Sequence, residues 1–93
     1  MNKEEYKAKA NQRIDEISAK INDLKAKKES VKQGSKDKYI ESINNLETKK
    51  ADLQSKYEDL MNATDEKWEE VKNAFSEAAD SFKEGFSKIA SLQ

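Results

Sequence analysis

The chain has 93 residues, with no cysteine, no histidine, no proline and only two glycines, Gly34 and Gly85. Each absence removes a class of chemistry or architecture. Without cysteine there is no disulfide and no zinc–thiolate site, and nothing to read about redox compartment. Without histidine the usual general base and the commonest metal ligand are missing. Ser/His/Asp and Cys/His arrangements are excluded, as is a di-iron bundle built on Glu-x-x-His pairs. Neither glycine belongs to a phosphate-cradling loop motif. Without proline, little interrupts a long helix. No apolar run approaches the ~20 residues needed to cross a bilayer. The segment Met1 to Ala10 is charged rather than apolar, so no signal peptide is expected there.

Charge is what the chain has in abundance. Charged residues make up 40% of it, and 18 basic and 19 acidic side chains nearly cancel to a net charge of −1. No global field is left to steer nucleic acid or an anionic membrane. Arg13 is the sole arginine, which argues against bidentate reading of phosphates or bases. Apolar residues amount to 34%. That supply is thin for a globule but sufficient for helices with one apolar stripe each. The expected class is all-α, in one helical domain over residues 1–93. No enzyme activity, cofactor, metal site or small-molecule substrate is indicated, and a cytoplasmic location is the default.

A first helix is expected over residues 2–33. Asn2 followed by Glu5 is a capping-box-like start. Ala10, Ile14, Ile17, Ile21, Leu24 and Val31 then recur at spacings that fit a heptad frame, with Lys7 and Lys28 at the remaining seam positions. Gly34 suits the left-handed position after a helix, and Lys32 suits the negative end of the helix dipole. A turn is therefore expected at 33–36. Ser35 would cap a second helix over 36–61, with Asp37 in its first turn. That helix carries the frame Tyr39, Ile43, Leu46, Lys50, Leu53, Tyr57 and Leu60. A connection so short makes the two helices antiparallel neighbours in a coiled-coil hairpin. Folding at Gly34 sets Leu24 near Leu46, Ile17 near Leu53 and Ala10 near Leu60. Lys28 and Lys50 are expected to lay their methylene stems over the seam and lift their ammonium groups into water.

The frame slips after Leu60. The next apolar positions are Trp68, Val71, Phe75, Ala78, Ala79, Phe82, Phe86 and Ile89. Either one long helix continues through a stutter, needing a partner chain for its far half, or the chain breaks. Asn62 as a terminating residue and Thr64 as a cap ahead of Asp65 and Glu66 favour a bend at 62–64 and a third helix over 65–91. A three-helix bundle then closes.

The third helix collects the only tryptophan and all three phenylalanines. Trp68, Val71, Phe75, Ala79, Phe82, Phe86 and Ile89 form one face, and Glu69, Glu70, Asn73, Glu77, Asp80 and Glu84 the opposite one. This apolar face is the candidate interaction face. It is expected to pack on the hairpin or on another chain, making a homo-oligomer or a complex with another helical protein the leading partner. Contact with a membrane surface through residues 65–92 is the alternative, weakened by the acidic balance of this segment. Lys20, Lys25, Lys27, Lys28, Lys32, Lys36 and Lys38 make the hairpin tip basic, but Asp23, Glu29, Asp37 and Glu41 interleave with them. An ion-paired, solvated face is the expectation, and non-specific nucleic-acid contact a remote alternative. The adjacent carboxylates Glu4-Glu5, Asp15-Glu16, Glu58-Asp59 and Glu69-Glu70 diverge around a helix and are expected to be solvated.

Three stretches carry a resemblance. They are Tyr6-Lys7 through Ile14-Asp15-Glu16, Ile21-Asn22-Asp23-Leu24-Lys25-Ala26-Lys27, and Trp68-Glu69-Glu70-Val71-Lys72 after a short polar joint. The chain resembles a family of small bacterial coiled-coil proteins labelled as stress-response proteins, over nearly its whole length. The resemblance implies a cytosolic, non-enzymatic helical protein tied to stress tolerance, and it supplies no functional residues. A weaker similarity, in the acidic polar face and flanking lysines of the last helix, is to exchangeable apolipoprotein helices.

Overall fold

A computed structural model describes residues 2–92. It contains α1 (Lys3–Ala26), a short 3-10 turn (Lys28–Ser30), α2 (Gln33–Asn62) and α3 (Trp68–Ala90), with no strand among the described residues. The chain breaks between α2 and α3, so the molecule is a three-helix bundle. The bundle is a rod of 50 × 17 × 17 Å. Its radius of gyration of 15.2 Å exceeds the ~12 Å of a rounder chain this long, as an elongated bundle of three long helices requires.

The start of α1 follows the expected capping logic. The side-chain oxygen of Asn2 accepts from the backbone N–H of Glu5 at 2.8 Å. The first turn lies elsewhere than at Gly34. The structure ends α1 at Ala26 and turns the chain over residues 27–32, so helix one does not reach 33 and the turn is not at 33–36. Gly34 sits in the first turn of α2, and no described residue has positive φ. Ser35 is inside α2 as well, and Lys32, not Ser35, occupies the cap position.

Two apolar side chains decide the earlier turn. Val31 is buried, closing the end of the core instead of extending the α1 seam. Tyr39 is fully buried, and its hydroxyl donates to the carbonyl of Leu24 at 2.7 Å. That bond serves one of the last carbonyls of α1, the service a glycine cap performs elsewhere. Lys36 and Glu29 pair across the turn at 2.9 Å.

Most apolar residues of the two expected frames are buried. Ala10, Ile14, Ile17, Ile21 and Leu24 of α1 are buried, and so are Tyr39, Ile43, Leu46, Leu53 and Leu60 of α2. Lys25 and Glu47 form an ion pair, each one residue beyond Leu24 and Leu46. Lys50 is half-buried, whereas Lys28 belongs to the turn and is exposed.

At the second joint α2 runs to Asn62, whose side-chain amide donates to the carbonyl of Glu58 at 3.0 Å. Ala63 is extended, with φ −68° and ψ 135°. Residues 65–67 form a turn and α3 starts at Trp68, three residues later than the caps suggested. Thr64 does not cap it: the position before α3 is Lys67, which makes no side-chain capping bond.

α2 is the central element, packed along α1 on one side and α3 on the other. At Gly85 α3 comes close to α2. A Cβ there would lie 2.7 Å from Cδ2 of Leu46, so the missing side chain lets the two helices meet.

Candidate interaction site

The aromatic face of α3 is turned into the bundle. Trp68, Phe75, Ala79, Phe82 and Ile89 are buried against the hairpin, while Val71 and Phe86 remain half-buried. The seam and this face are one continuous core. Its buried members are all apolar, with no buried polar or charged residue and no buried side-chain donor or acceptor left unpartnered among the described residues. A face so committed reaches a partner only if α3 leaves the hairpin.

α1 and α3 run parallel and approach less closely than either approaches α2. They meet through side chains from one flank of α1. The hydroxyl of Tyr6 donates to the carbonyl of Lys72 at 3.3 Å and shares a hydrogen bond with the hydroxyl of Ser76. Its ring stands edge-on to Trp68 and to Phe75. Arg13 pairs with Asp80 at 2.9 Å. The ammonium of Lys20 lies 5.3 Å from the centre of the Phe86 ring. Tyr6, Arg13 and Lys20 are seven residues apart in turn, so they share a side of α1 next to its seam. Sequence reasoning missed this row, although its heptad spacing was the available signal.

Beyond the Arg13–Asp80 pair the two helices leave a cleft of about 540 Å³. Its floor is Ile17, Ala79, Phe82 and Phe86, and its rim carries Arg13, Glu16, Lys20 and Lys83. Both signs of charge stand on this rim. A smaller hollow of about 260 Å³ lies on the other side of Arg13, between Tyr6, Ala10 and Phe75.

Elsewhere the surface is largely polar and carries ion pairs. At the hairpin tip Lys25 pairs with Glu47, Lys27 with Asp23 at 3.0 Å and Lys36 with Glu29. Lys3 pairs with Asp65, tying the start of α1 to the second joint. The hydrogen bond from Lys3, and then its charge, hold the Asp65 carboxyl below its ordinary range. Glu29 is lowered in the same way by Lys36. All members of the four adjacent carboxylate pairs are exposed. Among the described residues no three acidic side chains come together as a metal cluster would require.

These features define a class: a small three-helix bundle with an all-apolar core, an aromatic third helix and a charged surface. No family model matches the chain, and no curated protein or solved structure is detectably similar to it. Among the described residues no helix is long and apolar enough to cross a membrane.

Proposed function

We propose that this chain is a non-enzymatic structural protein that acts by helix–helix association, with a second copy of itself as its first partner. One observation carries the reading. Among the described residues the Tyr39 hydroxyl, bonded to the Leu24 carbonyl within the hairpin, is the one buried side-chain hydrogen bond between helices, and the buried residues that α3 packs on the hairpin are all apolar, with none to tie that seam to one particular partner. Buried polar residues are the usual device for fixing register and partner in helical assemblies. A seam without them accepts an equivalent helix from another molecule at little cost. The resemblance to small bacterial coiled-coil proteins labelled as stress-response proteins supports the same reading, with stress tolerance as the setting and the cytoplasm as the place.

Light scattering on the full chain, from micromolar to millimolar concentration, tests this. A mass rising from the 10.7 kDa of one chain towards twice that value is expected. A constant monomer mass over that range would remove self-association.

Two other readings have less support. A lipid-surface role for residues 65–92 requires exposing Trp68, Phe75, Phe82 and Ile89, all buried in the bundle. Each costs on the order of 1.5–3 kcal/mol to uncover, which the membrane would have to return. Nucleic-acid contact at the hairpin tip competes with the ion pairs of Lys25, Lys27 and Lys36.

A further inference from the structure

We infer that two copies of this chain exchange α3. The joint between α2 and α3 straightens, the two helices become one, and each α3 packs on the partner's α1–α2 hairpin. This rests on the helix-association reading and names its geometry.

The joint contains nothing that demands a turn. Residues 61–67 include neither glycine nor proline, and no described residue has positive φ. Ala63 departs from helical geometry chiefly in ψ, at 135° against about −42° in a helix. The N-terminus of α3 has no side-chain cap. Straightening would therefore hand orphan backbone groups at both helix ends to intrahelical partners.

The apolar pattern is in phase across the joint. Leu60, Thr64 and Trp68 follow at i, i+4 and i+8, which is one side of a helix. Leu53 and Ile89 are 36 residues apart, about ten turns of an ideal helix, so both would face the same way. A heptad frame slips here, but a straight α-helix does not.

The exchanged form keeps the contacts of the closed one. Gly85 still admits Leu46, and the aromatic face still covers the seam, with the partner supplying one side. Lys3–Asp65 and Tyr6–Trp68 lie at the joint end of the rod, where the two copies would meet about a two-fold axis. Residues 33–90 would form one helix of about 87 Å, against a bundle 50 Å long.

Spin labels test this directly, because the chain has no cysteine of its own. Gln54 and Glu77 are both exposed and sit at one level, since Leu46 faces Gly85 in the antiparallel pair. Gln54→Cys/Glu77→Cys protein is labelled, mixed with excess unlabelled chain, and its dimer fraction is isolated. Dilution leaves only the intramolecular distance. In the closed bundle the helix axes are about 8–10 Å apart, whereas 23 residues of straight helix span about 35 Å. A distance near 35 Å in the dimer is expected. A short distance in the dimer overturns the exchange while leaving association intact.

Thr64→Pro provides the second arm. Ala63 already has the extended ψ that a residue before proline adopts, so the closed bundle should tolerate it. A continuous helix would not. Thr64→Pro should lower the dimer fraction at least tenfold while circular dichroism stays helical. A dimer undiminished in Thr64→Pro overturns the exchange. A wild type that is monomeric at every concentration removes the association reading and the exchange with it.

Discussion

The ring of Tyr6 on α1 stands edge-on to the indole of Trp68 on α3, with centroids 5.9 Å apart and planes at 82°. A second edge contact joins the same ring to Phe75 at 6.4 Å. Tyr6 thus fastens one end of the parallel pair of helices. An edge-to-face pair contributes about 0.5–1.5 kcal/mol beyond its area burial. Tyr6→Phe keeps the rings and loses the bonds to Lys72 and Ser76, for about 1 kcal/mol. Tyr6→Ala loses ring contacts as well and should cost about 2–4 kcal/mol. Urea unfolding followed by Trp68 fluorescence measures both. Equal losses in the two variants would mean that the hydroxyl, not the ring, does the fastening.

The two glycines should respond oppositely to alanine. Gly34 is in the first turn of α2 with nothing within 4 Å of a built Cβ. Gly34→Ala restricts the unfolded chain without a clash and should stabilise by about 0.4–1 kcal/mol. Gly85→Ala gains a similar helix propensity but places its methyl 2.7 Å from Leu46. Leu46 meets it with the end of a flexible side chain, so the overpacking cost is near the low end of about 1–3 kcal/mol. The net change at Gly85 should be zero to about 1 kcal/mol destabilising. Thermal melts of the two variants side by side are sufficient, and a stabilising Gly85→Ala would contradict the close approach.

The contrast between these glycines also shows what was legible in the chain. The seams of Ile14, Ile17, Ile21 and Leu24, and of Ile43, Leu46, Leu53 and Leu60, follow from apolar spacing, because burial in a helical bundle is a periodic demand. The turn was not legible, because Gly34 is a permissive residue that the fold did not need to use. Burial of Val31 and the Tyr39–Leu24 hydrogen bond placed the turn six residues earlier, and both are long-range contacts with no local signature. The α3 aromatic face was readable as amphipathic, but not which surface would cover it. Arg13 and Lys20 line the α1–α3 cleft through long side chains that a helical wheel assigns simply to solvent.

Core and surface apolar residues on α2 should separate cleanly. Leu53 is fully buried, while Met61 is 46% exposed. Leu53→Ala removes a fully buried side chain from the core and leaves a cavity, at a cost of about 2–5 kcal/mol. That is a large share of the about 5–15 kcal/mol available to a domain of this kind. Met61→Ala should stay within about 0.5 kcal/mol of wild type. Chemical denaturation midpoints measure the pair, and a comparable loss at Met61 would place it in an interface that the single chain does not show.

Acid should erase the contributions of Asp65 and Glu29. Both carboxyls are lowered from their ordinary values of 3.8 and 4.5, by hydrogen bonds from Lys3 and Lys36 first and by those charges second. A carboxyl lowered in the folded state binds protons more readily when unfolded. Its stabilisation is present above the unfolded value and lost as pH falls through the folded one. Both groups are exposed, so solvent and salt screen the effect and it is small. Asp65→Asn/Glu29→Gln should melt slightly below wild type at about pH 6 and low salt, and together with it at about pH 2. The gap at about pH 6 should also close in about 1 M salt, where the screening length falls to ~3 Å. The general cationic repulsion that acid brings is common to both proteins, so the difference between their melts isolates the two pairs. A gap that persists unchanged at low pH would show that the substitutions act through packing at the joint and the turn rather than through charge.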